Sequence, residues 1–116
     1  MPAVEEPERP AGPDAVLRAL ADPHRREIMR LVRETELPAG QIATHFDLTQ
    51  QAVSQHLTVL KRAGLLEERR DGTRRLYRFR GQSLEPVRAL LEEFWPEALA
   101  RLKQVVERDH PRKGAT

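Results

Sequence analysis

The chain has 116 residues, of which 39% are apolar and 33% are charged, and it contains no cysteine. This length and composition are typical of one small globular domain. The lack of cysteine excludes disulfides, thiolate metal sites and cysteine nucleophiles. No apolar run is long enough to cross a membrane, and the first residues lack the basic start and apolar stretch of a signal peptide. We therefore expect a cytoplasmic protein.

The two ends of the chain differ in composition from its middle. The first 13 residues contain four prolines and a net excess of acidic side chains. We expect residues 1–13 to form a disordered tail and residues 109–116 to form a basic, frayed one. The domain itself is then predicted over residues 14–108.

Helical spacing of apolar residues dominates the first half of the domain. Asp14, Asp22 and Thr49 each precede such a segment and suit the N-cap position, where a side-chain oxygen accepts a backbone hydrogen bond. Gly64 suits the left-handed residue just past the end of a helix. The four helices are predicted over residues 14–22, 23–35, 38–46 and 49–63.

The second half of the domain changes pattern twice. Residues 65–80 alternate between apolar and polar and centre on Asp71 and Gly72, which predicts a β-hairpin. From about residue 84 to residue 108 a near-heptad apolar stripe predicts a long helix. Pro96 lies inside that helix, and we expect a kink or break there because proline removes a backbone hydrogen bond.

Basic side chains are concentrated in and before the predicted hairpin. Residues 61–80 carry eight basic and three acidic side chains, a local excess of +5 in a chain whose net charge is only +2. Such a concentration is typical of a surface that binds a polyanion. A solvated surface hairpin is the alternative interpretation.

The helix predicted over residues 49–63 has one apolar and one polar side, and no aspartate or glutamate occurs from Thr49 to Gly64. Amides can pair with base edges, hydroxyls with bases or phosphates, and cations with phosphates, whereas a carboxylate would repel a nucleic-acid backbone. A short helix, a tight turn and this helix form the helix-turn-helix arrangement, and the basic hairpin would be its wing. We therefore expect double-stranded DNA as the partner. The alternative is a helix pair that packs within a small α-helical domain. The polar side consists of Gln50, Gln51, Ser54, Gln55, Thr58, Lys61 and Arg62.

The sequence resembles the ArsR/SmtB winged-helix repressors over about residues 14–106. The resemblance rests on ALADPHRREIMRLV, QIATHFDLTQQAVSQHLTVLKRAGLL and DGTRRLYRF. It implies a mainly α fold with a small β-hairpin wing, in the order α-α-α-α-β-β-α. It also implies a homodimer that represses transcription from a palindromic operator.

The resemblance assigns roles to individual positions. The base-facing positions would be Gln50, Gln51, Ser54 and Gln55. The positions that match phosphate contacts would be Thr49, Thr58 and Lys61, together with the wing residues Arg74, Arg75 and, as an addition, Arg70.

The apolar stripe of the last helix would form a large exposed patch on a monomer. Burial of each large side chain contributes about 1.5–3 kcal/mol, so a two-fold dimer is expected to cover it. The resemblance adds the first helix to this interface. Trp95 is expected there too, with a ligand-pocket wall as the alternative. The predicted dimer residues are Val16, Leu17, Leu20, Val87, Leu91, Phe94, Trp95, Ala98, Leu102 and Val105.

The sequence departs from the metal-sensing members of that family. Some of those members carry a Cys-x-Cys motif on the first helix of the helix-turn-helix, where this sequence reads LPAGQIA. Others use His and Asp pairs on the last helix, but residues 84–109 contain no histidine. The resemblance is therefore to the metal-free branch, whose last helix often carries a Phe-Trp pair. The four histidines (His24, His45, His56 and His110) lie on separate elements, so we expect no metal site and no cofactor. We expect His56 to be a packing residue.

Nothing in the sequence indicates catalysis. No glycine-rich phosphate loop is present, and Ser54 and His56 are two residues apart, so their side chains do not face each other on a helix. We expect a DNA-binding repressor whose effector, a small molecule or a protein, is left open. The alternative is a winged-helix interaction module that docks an acidic protein on the same face.

Overall fold

The computed structural model describes residues 12–109, so most of each predicted tail lies outside the described residues. Within this range the chain forms six α-helices and a three-stranded sheet, and none of these helices is long and apolar enough to cross a membrane. The helices are α1 (Pro13–Leu20), α2 (Pro23–Leu31), α3 (Ala39–Ala43), α4 (Gln50–Arg62), α5 (Glu85–Phe94) and α6 (Pro96–Asp109). The strands are β1 (Leu37–Pro38), β2 (Leu66–Asp71) and β3 (Arg74–Phe79), and a 3-10 helix covers Gly81–Leu84.

The helix caps follow the sequence at two of three predicted positions. Asp22 accepts hydrogen bonds from the backbone N–H groups of His24, at 2.7 Å, and Arg25, at 3.2 Å. The hydroxyl oxygen of Thr49 accepts one from the N–H of Ala52 at 3.0 Å. These bonds satisfy amides that have no partner inside α2 and α4.

The predicted cap at Asp14 is wrong. The N-cap of α1 is Gly12, and Asp14 lies inside the first turn. Pro13 explains the earlier start, because its fixed φ and missing N–H suit the first helical position.

The hairpin is confirmed, with its turn one residue later than predicted. Asp71 pairs with Arg74, so the two-residue loop is Gly72-Thr73. Gly72 has φ +68°, a left-handed conformation that glycine adopts without steric cost. Gly64, with φ +80°, ends α4 in the same way.

Strand β1 was not predicted. It pairs antiparallel with β3 on the side away from β2, with Leu37 opposite Tyr77 and Pro38 opposite Leu76. Two residues cannot show a period-2 pattern, and a proline usually argues against a strand except at an edge, where β1 lies.

The predicted interruption at Pro96 is confirmed as a complete break. Helix α5 ends at Phe94, and α6 begins at Pro96. Trp95 between them has φ −148° and ψ 44°, which is not helical. The described part of the chain therefore ends in two helices in place of one.

One side of α4 lies at the centre of the core. Val53, Leu57 and Leu60 are buried there with residues from α1, α2, α3 and the start of β2. Val16, expected at a dimer interface, is instead only 1% exposed in this core, so its side chain has no surface to offer a second chain. The other fully buried core residues include Ala19, Ile28, Val32, Ile42 and Leu65.

The Asp22 cap gives a testable stability prediction. We expect Asp22→Ala to lower the free energy of unfolding by about 0.5–2 kcal/mol, and Asp22→Asn to lower it by less, since asparagine keeps the cap hydrogen bond but loses the charge. Urea denaturation followed by circular dichroism measures both.

The same cap should depend on pH. Burial would raise the pKa of Asp22, but hydrogen bonds from the backbone amides of His24 and Arg25, with the nearby His56 and Arg25 side chains, hold it below its usual value. A carboxyl group with a lowered folded-state pKa stabilises the fold above its unfolded pKa and loses that contribution as pH falls through the folded value. The penalty of Asp22→Ala should therefore shrink in acid, and a penalty that stays constant would contradict this account.

Candidate nucleic-acid interface

The polar face of α4 points away from the core. It consists of Gln50, Gln51, Ser54, Gln55, Thr58, Lys61 and Arg62, and all seven are exposed. Because Val53, Leu57 and Leu60 are buried on the opposite side, the rotation of the helix about its axis is fixed by packing. The sequence prediction that these side chains are presented to solvent is confirmed.

The N-terminus of α4 favours an anion. Its first turn contains no acidic residue, and the unpaired backbone N–H groups there carry partial positive charge. The Thr49 oxygen accepts the cap hydrogen bond, which leaves its O–H free to donate. By contrast, the Thr58 hydroxyl donates to the Ser54 carbonyl at 3.0 Å, so its proton is already used inside the helix.

A cleft of about 260 Å³ lies between the end of α4 and the hairpin. Glu68 lies in it with a side chain only 14% exposed, and its carboxylate forms ion pairs with Lys61 of α4 and with Arg75 of β3, the latter at 3.3 Å. Burial and the Glu68 charge raise the pKa of Tyr77, whose phenol therefore stays protonated in the cleft. Thr58 and Arg62 also line the cleft.

Glu68 was not singled out from the sequence, although strand register could have indicated it. Glu68 faces Tyr77 across the ladder, so Arg75 is its diagonal neighbour on the same face of the sheet. A hairpin prediction with the correct turn places these side chains together. The contact of Glu68 with Lys61 depends on how α4 packs on the sheet, and the strand register does not predict that packing.

The hairpin arginines differ in whether they have an ion-pair partner. Arg69 donates two hydrogen bonds to Glu36, at 2.8 and 2.7 Å, and these bonds hold the pKa of Glu36 below its usual value. Arg70 instead lies directly opposite Arg75 on β3, with no ion-pair partner among residues 12–109. Like charges in that arrangement repel each other, which an external anion would relieve. Arg74 pairs with Asp71 at 3.3 Å near the tip of the hairpin.

The fold brings His56 next to two residues at the start of α2 that are distant from it in sequence. Asp22, His24 and His56 form the group of potential metal ligands found within the described part of the chain. His56 is half-buried beside Arg25, whose guanidinium lies 3.4 Å from the Nδ1 atom of its ring. This position agrees with the packing role expected for His56.

The fold and this surface define a winged helix-turn-helix protein. A helix-turn-helix domain family matches residues 20–69. The transcriptional regulator Rv2034 of Mycobacterium tuberculosis is 39% identical, over 82% of this chain and 89% of that protein. The arsenic resistance regulator ArsR1 of Pseudomonas putida is 34% identical, over 83% and 81%.

Solved structures agree with this likeness. A homodimeric winged helix-turn-helix DNA-binding domain from Mycobacterium bovis, a possible ArsR-family regulator, is 31% identical with a TM-score of 0.57, covering 89% of this chain and 84% of that one. The chain belongs to the ArsR family of winged-helix transcriptional regulators. It is a DNA-binding regulator and not an enzyme.

Glu68 is expected to restrain DNA affinity. Removal of its charge in Glu68→Gln frees Lys61 and Arg75 to pair with phosphates, so the affinity for any duplex should increase. The slope of log affinity against log salt should become steeper by about one unit. Fluorescence anisotropy with one duplex across a salt series measures both quantities.

Glu67→Gln is the matched control, because Glu67 lies on the opposite face of the same strand, paired with Arg78. It removes the same charge away from the cleft. Equal changes in slope for the two variants would show that Glu68 acts only through net charge.

Proposed function

We propose that this protein is a homodimeric repressor that binds a palindromic operator in the cytoplasm through the polar face of α4 and the arginine wing. The observation that carries the proposal is the exposed, carboxylate-free face of α4 beside a hairpin rich in arginine. A dimer clamped on an operator that overlaps a promoter would exclude RNA polymerase by steric hindrance.

Four side chains of α4 are proposed to contact bases. Gln50, Gln51, Ser54 and Gln55 are exposed in the first half of the helix, the half that enters the major groove in helix-turn-helix proteins. A glutamine amide can donate to and accept from one adenine edge at once. The core packing that fixes the rotation of α4 supports a defined register on the bases.

The phosphate contacts are proposed to flank these residues. The free O–H of Thr49 and the helix N-terminus would bind one phosphate, and the cleft between α4 and the hairpin a second. In the cleft, a phosphate would replace Glu68 as the ion-pair partner of Lys61 and Arg75. Arg70 and Arg74 would contact the backbone from the wing. Thr58 is the weakest member of this set, since its proton is already donated to Ser54.

A second copy of the chain is proposed to cover the apolar surface of the C-terminal helices. Phe94 is 80% exposed and Trp95 is 55% exposed, and such side chains rarely stay in water on a monomer. Helix α1 packs against α5 and leaves Leu17 exposed near that surface, while Leu20 and Val87 are half-buried against the core. The similar domain from Mycobacterium bovis is homodimeric, which supports a dimer of this chain. Leu91, Val105 and the additional Val106 are exposed as well, whereas the side chains of Ala98 and Leu102 lie outside what the structure describes.

The base-contacting and phosphate-contacting residues should be separable by mutation. We expect Gln51→Ala and Gln55→Ala each to reduce the preference for a selected operator over scrambled DNA by about 1–3 kcal/mol, because they remove base contacts. Arg74→Ala with Arg75→Ala should weaken binding to both duplexes alike. The operator is obtained by selection from a random duplex library, and affinities are measured by anisotropy.

The double variant Arg30→Ala with Arg33→Ala is the charge-matched control, since both arginines are exposed and line a different cleft, away from α4. Wild-type affinity should fall about 10³-fold or more between roughly 50 and 200 mM salt if about six phosphates are neutralised. The proposal fails if the glutamine variants lose as much affinity for scrambled DNA as for the operator.

The dimer should depend on Phe94. Burial of one such side chain contributes about 1.5–3 kcal/mol per chain, and two-fold symmetry doubles it. We therefore expect Phe94→Glu to raise the dimer dissociation constant by at least about 100-fold. Sedimentation velocity over a concentration series measures this, with Glu93→Gln on the same helix as control. An unchanged dimer in Phe94→Glu would place the interface elsewhere.

A further inference from the structure

Three potential metal ligands meet where the N-terminus of α2 contacts α4. One ligand atom from each of Asp22, His24 and His56 lies within 4.8 Å of the other two. The Nδ1 atom of His24 is 3.7 Å from Oδ1 of Asp22, and the ring centres of His24 and His56 are 5.7 Å apart. We propose that these residues form a binding site for a divalent transition-metal ion of the Zn²⁺ class.

The ligand set matches the chemistry of Zn²⁺. Two imidazole nitrogens and one carboxylate oxygen, completed by water, make a tetrahedral site in which neighbouring ligand atoms are roughly 3.4 Å apart. The ligand atoms, which lie within 4.8 Å of one another, therefore need to approach by up to about 1.4 Å. The side chain of His24 is 47% exposed, and its ring lies in a T-shaped arrangement with that of Phe46, with ring centres 5.8 Å apart.

Asp22 can serve the helix and a metal at once. Both of its backbone hydrogen bonds are accepted by Oδ1, which leaves Oδ2 for a metal ion. A metal ion at Oδ2 would not remove the cap of α2.

Arg25 competes with a metal ion for His56. Its guanidinium lies 3.4 Å from Nδ1 of His56, and it is anchored by hydrogen bonds to the carbonyls of Ala19, at 2.7 Å, and Arg18, at 3.0 Å. Arg25 can donate to Nδ1 only if the ring proton is on Nε2. A metal ion on Nδ1 would take the place of Arg25, and a metal ion on Nε2 would leave the ring proton on Nδ1. In both cases His56 can no longer accept a hydrogen bond from Arg25, so it binds either Arg25 or the metal ion.

The site links two parts of the helix-turn-helix protein. His56 directly follows Gln55 on α4, whereas Asp22 and His24 belong to the start of α2, so a bound ion would cross-link these helices. Any change in DNA affinity caused by the ion must be matched by an equal change in metal affinity caused by DNA. The site itself does not rest on the proposed operator function, because metal binding is measured on the free protein.

The test is titration of the chelator-treated full chain with Zn²⁺ by calorimetry and with Co²⁺ by visible absorption. We expect one ion per chain and a tetrahedral Co²⁺ spectrum, and a melting temperature that rises with Zn²⁺. Asp22→Asn and His24→Asn should each raise the Kd for Zn²⁺ by more than the roughly 10–100-fold that loss of an outer-shell partner costs. Both are surface changes, and Asp22→Asn retains the helix cap.

Two further histidines supply the controls. His45→Asn changes a ring that faces the Gln41 carbonyl on α3, at 3.2 Å, and His110→Asn changes the histidine outside the described residues. Neither should alter Zn²⁺ binding. Melting curves in chelator confirm that each variant is folded. The proposal is overturned if Asp22→Asn and His24→Asn bind Zn²⁺ like the wild type, if His110→Asn abolishes binding, or if no saturable binding occurs.

Discussion

Burial of one side of α4 is the constraint on which the functional surface depends. Val53, Leu57 and Leu60 pack at the centre of a small core, and no other rotation of the helix would bury all three. The opposite side, with its glutamines, hydroxyls and cations, must therefore face solvent. In a domain of this size such packing contributes a large share of the stability, so the fold and the presentation of the binding surface are fixed by the same contacts.

Electrostatics then gives this surface its selectivity for an anion. The absence of carboxylates on α4 is a property of the sequence, but the distribution of charge around it is not. Glu36 neutralises Arg69, Asp71 pairs with Arg74, and Glu68 joins Lys61 to Arg75 in the cleft, so within the described residues Arg62 and Arg70 are cations of this surface without an ion-pair partner. We expect internal carboxylates of this kind to hold basic side chains in place before DNA binds and to limit indiscriminate affinity for polyanions.

The group of Asp22, His24 and His56 shows how a helix contact creates chemistry that spacing does not reveal. In sequence, two of these residues are near neighbours and the third is far away on another helix, and none has a partner at helical ligand spacing. The packing of α2 on α4 brings His56 next to Asp22 and His24. The expectation that the histidines lie apart was reasonable for separate elements, but the tertiary contact between α2 and α4 places two of them side by side.

The sequence by itself determined the local structure and the identity of the helix proposed to face DNA. Periodicity, the caps at Asp22 and Thr49, the glycine stop at Gly64 and the hairpin signal are all encoded by short-range sterics and hydrogen bonding, which act within a few residues. Only the tertiary structure decided that Val16 belongs to the core, that Leu37 and Pro38 extend the sheet, that Glu68 bridges α4 and the hairpin, and that His24 meets His56. Each of these facts depends on which faces of distant elements pack together, and that choice is made by the burial of the whole core and not by any local pattern.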